Sequence, residues 1–244
     1  MRRPDRLQDL VDAHRGRMSA VALDVTDTNR ALGLVAEVVD EFGRIDVLVN
    51  NAGRTQVVAL EETTDAERRD LFDLHFFGPA ALTVLCFRSF VGRVVGRWCR
   101  CRAWAARSRR PGFGAYGASK FAVDGLTETV SQEVDFGVRF ILVEPGEFRT
   151  NLFAPGAAHE STEMVEYAAT VGPTRDYIRI GSGSQAGDPA KAAQAILIAV
   201  NSDHPPLRLV LGADAVDSVQ QRLDRLTTEL RERETLGRAT AFNS

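Results

Sequence analysis

Tyr116 and Lys120 stand four residues apart in PGFGAYGASKFAVD, residues 111–124. On a helix that opens near Tyr116, this spacing places both side chains on one face, one turn apart. An ammonium beside a phenol favours the phenolate, so the phenol's pKa should fall from its ordinary value of about 10. A phenol that holds or releases a proton near neutral pH is a usable general acid/base. Gly112, Gly114 and Gly117 loosen the approach to the helix, and Ala115, Ala118 and Ser119 are small enough to admit something large beside it. Taken alone, Tyr-x-x-x-Lys fits an ordinary amphipathic helix better than an active site, so its surroundings must carry the argument.

Those surroundings alternate between strand and helix. Residues 4–14 read as a short helix with Asp5 near its start and Leu7, Leu10 and Val11 as an apolar stripe. SAVALDV (19–25) reads as a buried parallel strand. Thr26 or Asp27 can cap a helix over 29–42, with Leu32, Val35, Val38 and Val39 inward and Gly43 as its stop. IDVLVN (45–50) is a second buried strand, and Thr64-x-x-Glu67 is a capping box for a helix to Leu74. The Tyr-Lys helix runs over 116–134 with Phe121, Leu126, Val130 and Val134 as its apolar positions. VRFILV (138–143) is another buried strand. Asp188-Pro189 opens a helix to Val200, and Leu207–Leu211 is a last strand. A long helix over 213–234 carries Val216, Val219, Leu223, Leu226 and Leu230 on one side, to pack on its own domain or, secondarily, on a second copy. Such alternation implies right-handed crossovers and a parallel sheet. Asp24, Asn50-Asn51-Ala52-Gly53 and Pro145-Gly146 fall at strand carboxyl ends, where open α/β sheets bind ligands. Each also has a plain reading, as a helix N-cap or as an ordinary turn.

The 244 residues suit one α/β domain with a sizeable core. Hydrophobic residues are 44% and charged residues 26% of the chain, an ordinary soluble balance, and a net charge of −3 argues against nucleic acid or membrane as the main partner. No apolar run in the sequence reaches spanning length and Met1-Arg2-Arg3-Pro4 lacks a hydrophobic leader, so a cytoplasmic protein is expected. Cys86, Cys99 and Cys101 have neither an even count nor metal-ligand spacing, which suits a reducing compartment, no disulfide and no metal.

LDVTD (23–27), DVLVNNAG (46–53), the Tyr-Lys stretch and VEPGEFRT (143–150) stand in the order and at the intervals of the short-chain dehydrogenase/reductase family, which the chain resembles from about Arg2 to about Phe242. The resemblance implies an α/β fold, a Rossmann-like doubly wound parallel sheet in a single domain over 1–244. It implies hydride transfer between NADP or NAD and a small carbonyl/alcohol substrate. Tyr116 would donate or take the hydroxyl proton, and Lys120 would lower its pKa and hold the nicotinamide ribose. Asp24 would accept from the adenine amino group with Val25 packed nearby. Asn51, Ala52 and Gly53 would frame a ribose, Pro145 and Gly146 would cover the nicotinamide, and Thr150 would contact the carboxamide or the phosphates. Residues 151–187, long and weakly periodic, fall where the family carries its substrate lid, with Phe148, Leu152, Phe153, Met164 and Tyr167 as apolar surface. Arg2 and Arg3 fall where the family places a base for a 2′-phosphate, which leans the choice to NADP. A homodimer or tetramer stays open, and the tail over 236–244 is expected to fray.

The chain departs from the family pattern in three places. The first β-α-β unit is lacking, and with it the Gly-rich turn that offers backbone N–H groups to a pyrophosphate. That loss would leave facing strand edges unpaired beside 19–25 and 45–50, and it suggests a start codon read about 35–40 residues late. His75 stands where the family carries an Asn that holds a relay water behind the lysine. A histidine can bind a water too, with another geometry and a charge of its own, which makes His75 a third catalytic candidate. Residues 84–110 hold both tryptophans, all three cysteines and eight arginines, in a chain with only two lysines. Face value makes this stretch a nucleic-acid or anionic-surface segment. A pair of compensating frameshifts explains it better, because the shifted frame can read RAVLP at 84–88 and VSSLGG at 101–106 while the 41-residue spacing from His75 to Tyr116 is kept. On that reading the family's catalytic serine falls at Ala103, whose methyl cannot donate to an oxyanion, and the stretch must still supply a buried strand containing arginine. The alternative function is therefore a catalytically impaired chain that at most binds a ligand.

Overall fold

The computed structural model describes residues 4–90, 96–101, 110–134, 137–154 and 161–242, with 88–90 and 96–101 as backbone only. Four parallel strands form one sheet in the order β1 (Val47–Asn50), β2 (Gly96–Cys101), β3 (Val138–Pro145), β4 (Arg208–Leu211). β2 lies inside the anomalous 84–110 stretch and still fills the slot between β1 and β3, pairing Val47 with Arg97 and Cys101 with Val143. β3 is the centre of the core, with Ile141, Leu142 and Val143 almost fully buried.

Two strand expectations need correcting. Residues 19–25 form no strand. A strand needs a neighbour for its N–H and C=O groups, and no described strand lies beside this segment. Leu23 and Val25 instead pack into a cluster with Ala31, Leu82 and Leu48. β1 is not buried either: Val47 and Val49 are 36% and 50% exposed, because the described sheet ends at this strand.

The short helix α1 (Gln8–Ala13) follows a 3-10 turn at Pro4–Leu7, and neither buries a residue. Helix α2 (Thr28–Phe42) is capped as its sequence suggests: Asp27 accepts from Arg30 N–H at 2.9 Å, and Gly43 ends it at φ 77°. Its buried position is Ala31, while Leu32 points outward. The capping box is present, since Thr64 and Glu67 each accept from the other's backbone N–H at the start of α3 (Asp65–Phe72). The helix does not stop near Leu74. It passes through a π turn, Asp73–Phe77, into α4 (Gly78–Phe90). Among the described residues, 65–87 is one helical run long and apolar enough to cross a membrane. Here Leu71, Leu74, His75, Leu82 and Cys86 along it are buried in the domain.

Helix α5 (Gly114–Glu133) carries the Tyr-Lys pair. Its most buried positions include Tyr116, Ser119, Lys120, Val123 and Thr127; of the apolar positions read from sequence, Val130 and Val134 pack on the cluster of Cys86, Val138 and Phe140, while Phe121 is exposed beneath the Arg222 guanidinium at 5.1 Å. The long segment after β3 is not irregular throughout, for it contains short turns at Asn151–Phe153 and Val165–Tyr167 and a helix, α6 (Gly172–Gly181). Helix α7 (Pro189–Asn201) is capped by Asp188, which accepts from Ala190 N–H at 2.8 Å. Helix α8 runs Ala213–Arg238, past the expected end at 234. Ala215 is buried at its start, Val219 is half-buried and Arg222 lies over Phe121, while Val216, Leu223, Leu226 and Leu230 stay exposed.

Candidate active site

The chain leaves β1 at Asn50 and runs past the head of α5. Val58 N–H donates to Gly112 C=O at 2.9 Å, and Val58 bridges Phe113. Gly112 has φ 92°, and a Cβ there would lie 2.9 Å from both Val57 and Val171, so glycine is required where these two segments meet the head of α5. Tyr116 and Lys120 follow on one buried face, 2% and 8% exposed. Lys120 Nζ lies 5.5 Å from the Tyr116 ring centroid, and 3.7 Å from where a Cβ on Gly53 would sit. The turn after β1 and the first turn of α5 therefore converge on the lysine.

His75 completes this group from the π turn. Pro79 has no N–H to return to the carbonyl four residues back, and Gly78 N–H reaches five back, to Asp73 C=O. The ring stands edge-on to Tyr116, centroids 5.3 Å apart, with Nδ1 2.9 Å from Ser119 Oγ and Nε2 accepting from Arg54 N–H at 3.2 Å. Burial, then the nearby cations Lys120 and Arg54, push its pKa down to about 2. Both nitrogens are thus engaged by protein, which differs from an imidazole open to a relay water.

The other expected residues are positioned from different sides. Asp24 accepts from Thr26 N–H and Oγ1 at 3.1 and 2.9 Å, making a turn and not a helix cap. Val25 is held by Gly78, where a Cβ would fall 2.3 Å from Val25 C=O. Asn51, Ala52 and Gly53 are exposed at the end of β1. Gly146 donates its N–H to Leu211 C=O at 2.7 Å, and Asp214 at the start of α8 accepts from Glu147 N–H at 2.8 Å. Any Cβ on Gly146 would meet Asp214 Oδ1 at 2.1 Å, so the Pro145–Gly146 turn is locked against α8. Thr150 accepts from Leu152 N–H at 3.4 Å. Phe148 bridges Gly187, while Leu152 is half-buried and Phe153 and Tyr167 pack on the cluster that contains Tyr116. Arg2, Arg3, Arg102, Ala103 and Ser108 lie outside the described residues.

The sequence reading missed how the segment after β3 is held. Arg175 of α6 pairs with Glu62, whose side chain is fully buried and also accepts from Ala59 and Met164 N–H at 2.6 and 2.8 Å. Arg175 Nη1 also lies 3.3 Å from Glu163, and Tyr167 donates to Glu61 at 2.6 Å. Burial pushes the Glu62 carboxyl up, but the Met164 and Ala59 N–H groups and Arg175 outweigh it and hold the pKa below the usual carboxylate value. No local pattern announces a pair 113 residues apart.

A parallel sheet with helical crossovers, and polar residues gathered at the carboxyl edge, defines a Rossmann-type α/β protein. The family profile described as short chain dehydrogenase matches residues 1–161, and the chain belongs to that family of oxidoreductases. Oxidoreductase BOA17 of Botryotinia fuckeliana (strain B05.10) is 34% identical over 88% of this chain and 79% of its own length. A short-chain dehydrogenase structure from Streptomyces avermitilis matches 99% of this chain and 88% of its own, with 48% identity and a TM-score of 0.90. A metagenomic short-chain oxidoreductase solved in complex with NADP matches 60% of this chain and 69% of its own, with 26% identity and a TM-score of 0.56.

Proposed function

We propose that this chain carries hydride transfer between a nicotinamide cofactor, NADP or NAD, and the carbonyl/alcohol pair of a small substrate, with Tyr116 as general acid/base. The observation that carries this reading is the burial of Tyr116 and Lys120 on one face of α5, with Lys120 Nζ against the Gly53 turn. When bound, the cofactor supplies or takes the hydride. Tyr116 gives its hydroxyl proton to the substrate oxygen in reduction and takes it back in oxidation. Lys120 favours the phenolate and donates to the ribose. The residues present fit such a ligand: Gly53 puts no side chain before Lys120, and buried Asn50 Nδ2, at the end of β1, has no hydrogen-bond partner among the described residues. Asp24, Val25, Asn51, Ala52, Pro145, Gly146 and Thr150 frame the remainder, and Phe148, Leu152 and Phe153 line the lid over 151–187. The lean to NADP rests on Arg2 and Arg3, and the metagenomic short-chain oxidoreductase solved with NADP supports a nicotinamide dinucleotide. The protein works as one cytoplasmic domain, as a homodimer or tetramer.

A second reading, a chain too impaired to hold cofactor, is favoured by the exposed Val47 and Val49 at the open β1 edge. Titration of NADPH fluorescence, followed by NADPH oxidation with a panel of small aldehydes and ketones, separates the two. Saturable quenching and turnover support the enzyme; a flat titration supports the impaired chain.

A further inference from the structure

Three hydrogen bonds run head to tail through His75. Arg54 N–H donates to Nε2, Nδ1 lies beside Ser119 Oγ, and Ser119 donates its hydroxyl proton to Tyr116 C=O at 2.7 Å. Counting donors fixes the directions. Ser119 has one proton and gives it to Tyr116, so it accepts from Nδ1–H. Arg54 N–H can only donate, so Nε2 carries the lone pair. The ring is neutral, holds one tautomer and has no nitrogen left for a water. Gly53 makes this reach feasible, since a Cβ there would sit 3.2 Å from Nε2. The charged groups that face the ring are Lys120 from α5 and Arg54 from the turn, both cations opposed to protonation, with the Tyr116 ring on the remaining side.

We propose that His75 is a positioning residue, a tether of fixed tautomer that ties the backbone of Tyr116 to the turn after Gly53 and moves no proton. Its effect on catalysis rests on the reading of Tyr116 as acid/base; the tether itself does not. A chain of bonds all pointing one way is mutually polarised, so loss of the middle member loosens both ends. Any proton path behind Lys120 must then bypass the imidazole.

The test uses the full ¹⁵N-labelled chain. Long-range ¹H–¹⁵N spectra are recorded from about pH 5 to about pH 9, across the range where an unperturbed histidine titrates. The chain has four histidines, and His75 is the ring lost in His75→Asn. The expected result is a proton on Nδ1 throughout, with no titration. A proton on Nε2, or a midpoint near the ordinary value of about 6.5, overturns the proposal. Kinetics add a second readout. His75→Leu should lower kcat about tenfold or more, the scale of a misplaced reacting group, and His75→Asn, which keeps a donor towards Ser119, should lower it less. The midpoint of the kcat–pH profile should not move. A shifted midpoint, or rescue of His75→Leu by added imidazole, would assign proton transfer to His75 and overturn the proposal. If the leucine variant does not fold, the wild-type spectra still decide. If no carbonyl is reduced at all, the proposed function fails while the spectra still judge the tether.

Discussion

Replacing Arg175 by Met should open the lid. The Glu62 side chain is fully buried and that of Arg175 is 7% exposed, so the pair lies out of water. Met fills similar volume and keeps α6 helical, but leaves the carboxylate without its buried cation. Breaking such a pair by removing one partner costs about 3–5 kcal/mol. The Ala59 and Met164 N–H bonds remain, so the loss should fall at the low end, about 3 kcal/mol. As global destabilisation this is about 6–12 °C in Tm for a chain of this size. The pair joins lid to loop, so most of it should appear as local opening, with amide exchange over 161–181 faster by about 10²-fold. Hydrogen-exchange mass spectrometry of that peptide reads this directly. Exchange within twofold of wild type, together with an unchanged Tm, would refute the argument that this pair holds the lid. The same carboxyl sets a pH window. Its folded pKa is lowered, so its contribution is complete above the unfolded value of about 4.3 and is lost as pH falls through the lower folded value. The protection factor of these amides in the wild type, observed exchange divided into the intrinsic rate at each pH, should therefore fall in acid, below about pH 4, and stay flat above it.

Tyr116→Phe should leave NADPH binding intact and lower kcat by about 10²–10⁴, measured as NADPH oxidation with any substrate the wild type accepts. Gly146→Ala should weaken NADPH binding and lower Tm, because the new Cβ would fall 2.1 Å from Asp214 Oδ1; adding Asp214→Ala should recover part of the Tm, as calorimetry can check. Gly78→Ala presses a methyl onto the Val25 carbonyl, a backbone group with no rotamer to give, and should cost about 1–3 kcal/mol in urea unfolding.

Much of the architecture was legible because it rests on local chemistry. Asp27, the Thr64–Glu67 box, Gly43 and Asp188 are short-range signals, and each does what its type predicts. The strand at 19–25 failed because a strand is a property of two segments: SAVALDV has the composition, but no described strand lies alongside it. In α5, Val130 and Val134 pack inward as apolar residues should, but Phe121 lies outside because the first half of the buried face is polar, built from Tyr116, Ser119, Lys120 and Thr127. The π turn had a usable signal in Pro79, which breaks the ladder at His75 C=O. The Glu62–Arg175 and Asp214–Glu147 links had none, since only the tertiary fold brings those residues together.

Fluorescence titration of NADPH into the wild type and Lys120→Met tests most directly whether the amine beside Tyr116 faces the cofactor. A charge-assisted bond to the ribose is worth about 1.5–3 kcal/mol, so the variant's Kd should rise about 10–100-fold over a saturable wild-type value. Equal affinity in the two proteins, or no saturation by the wild type, would contradict the account.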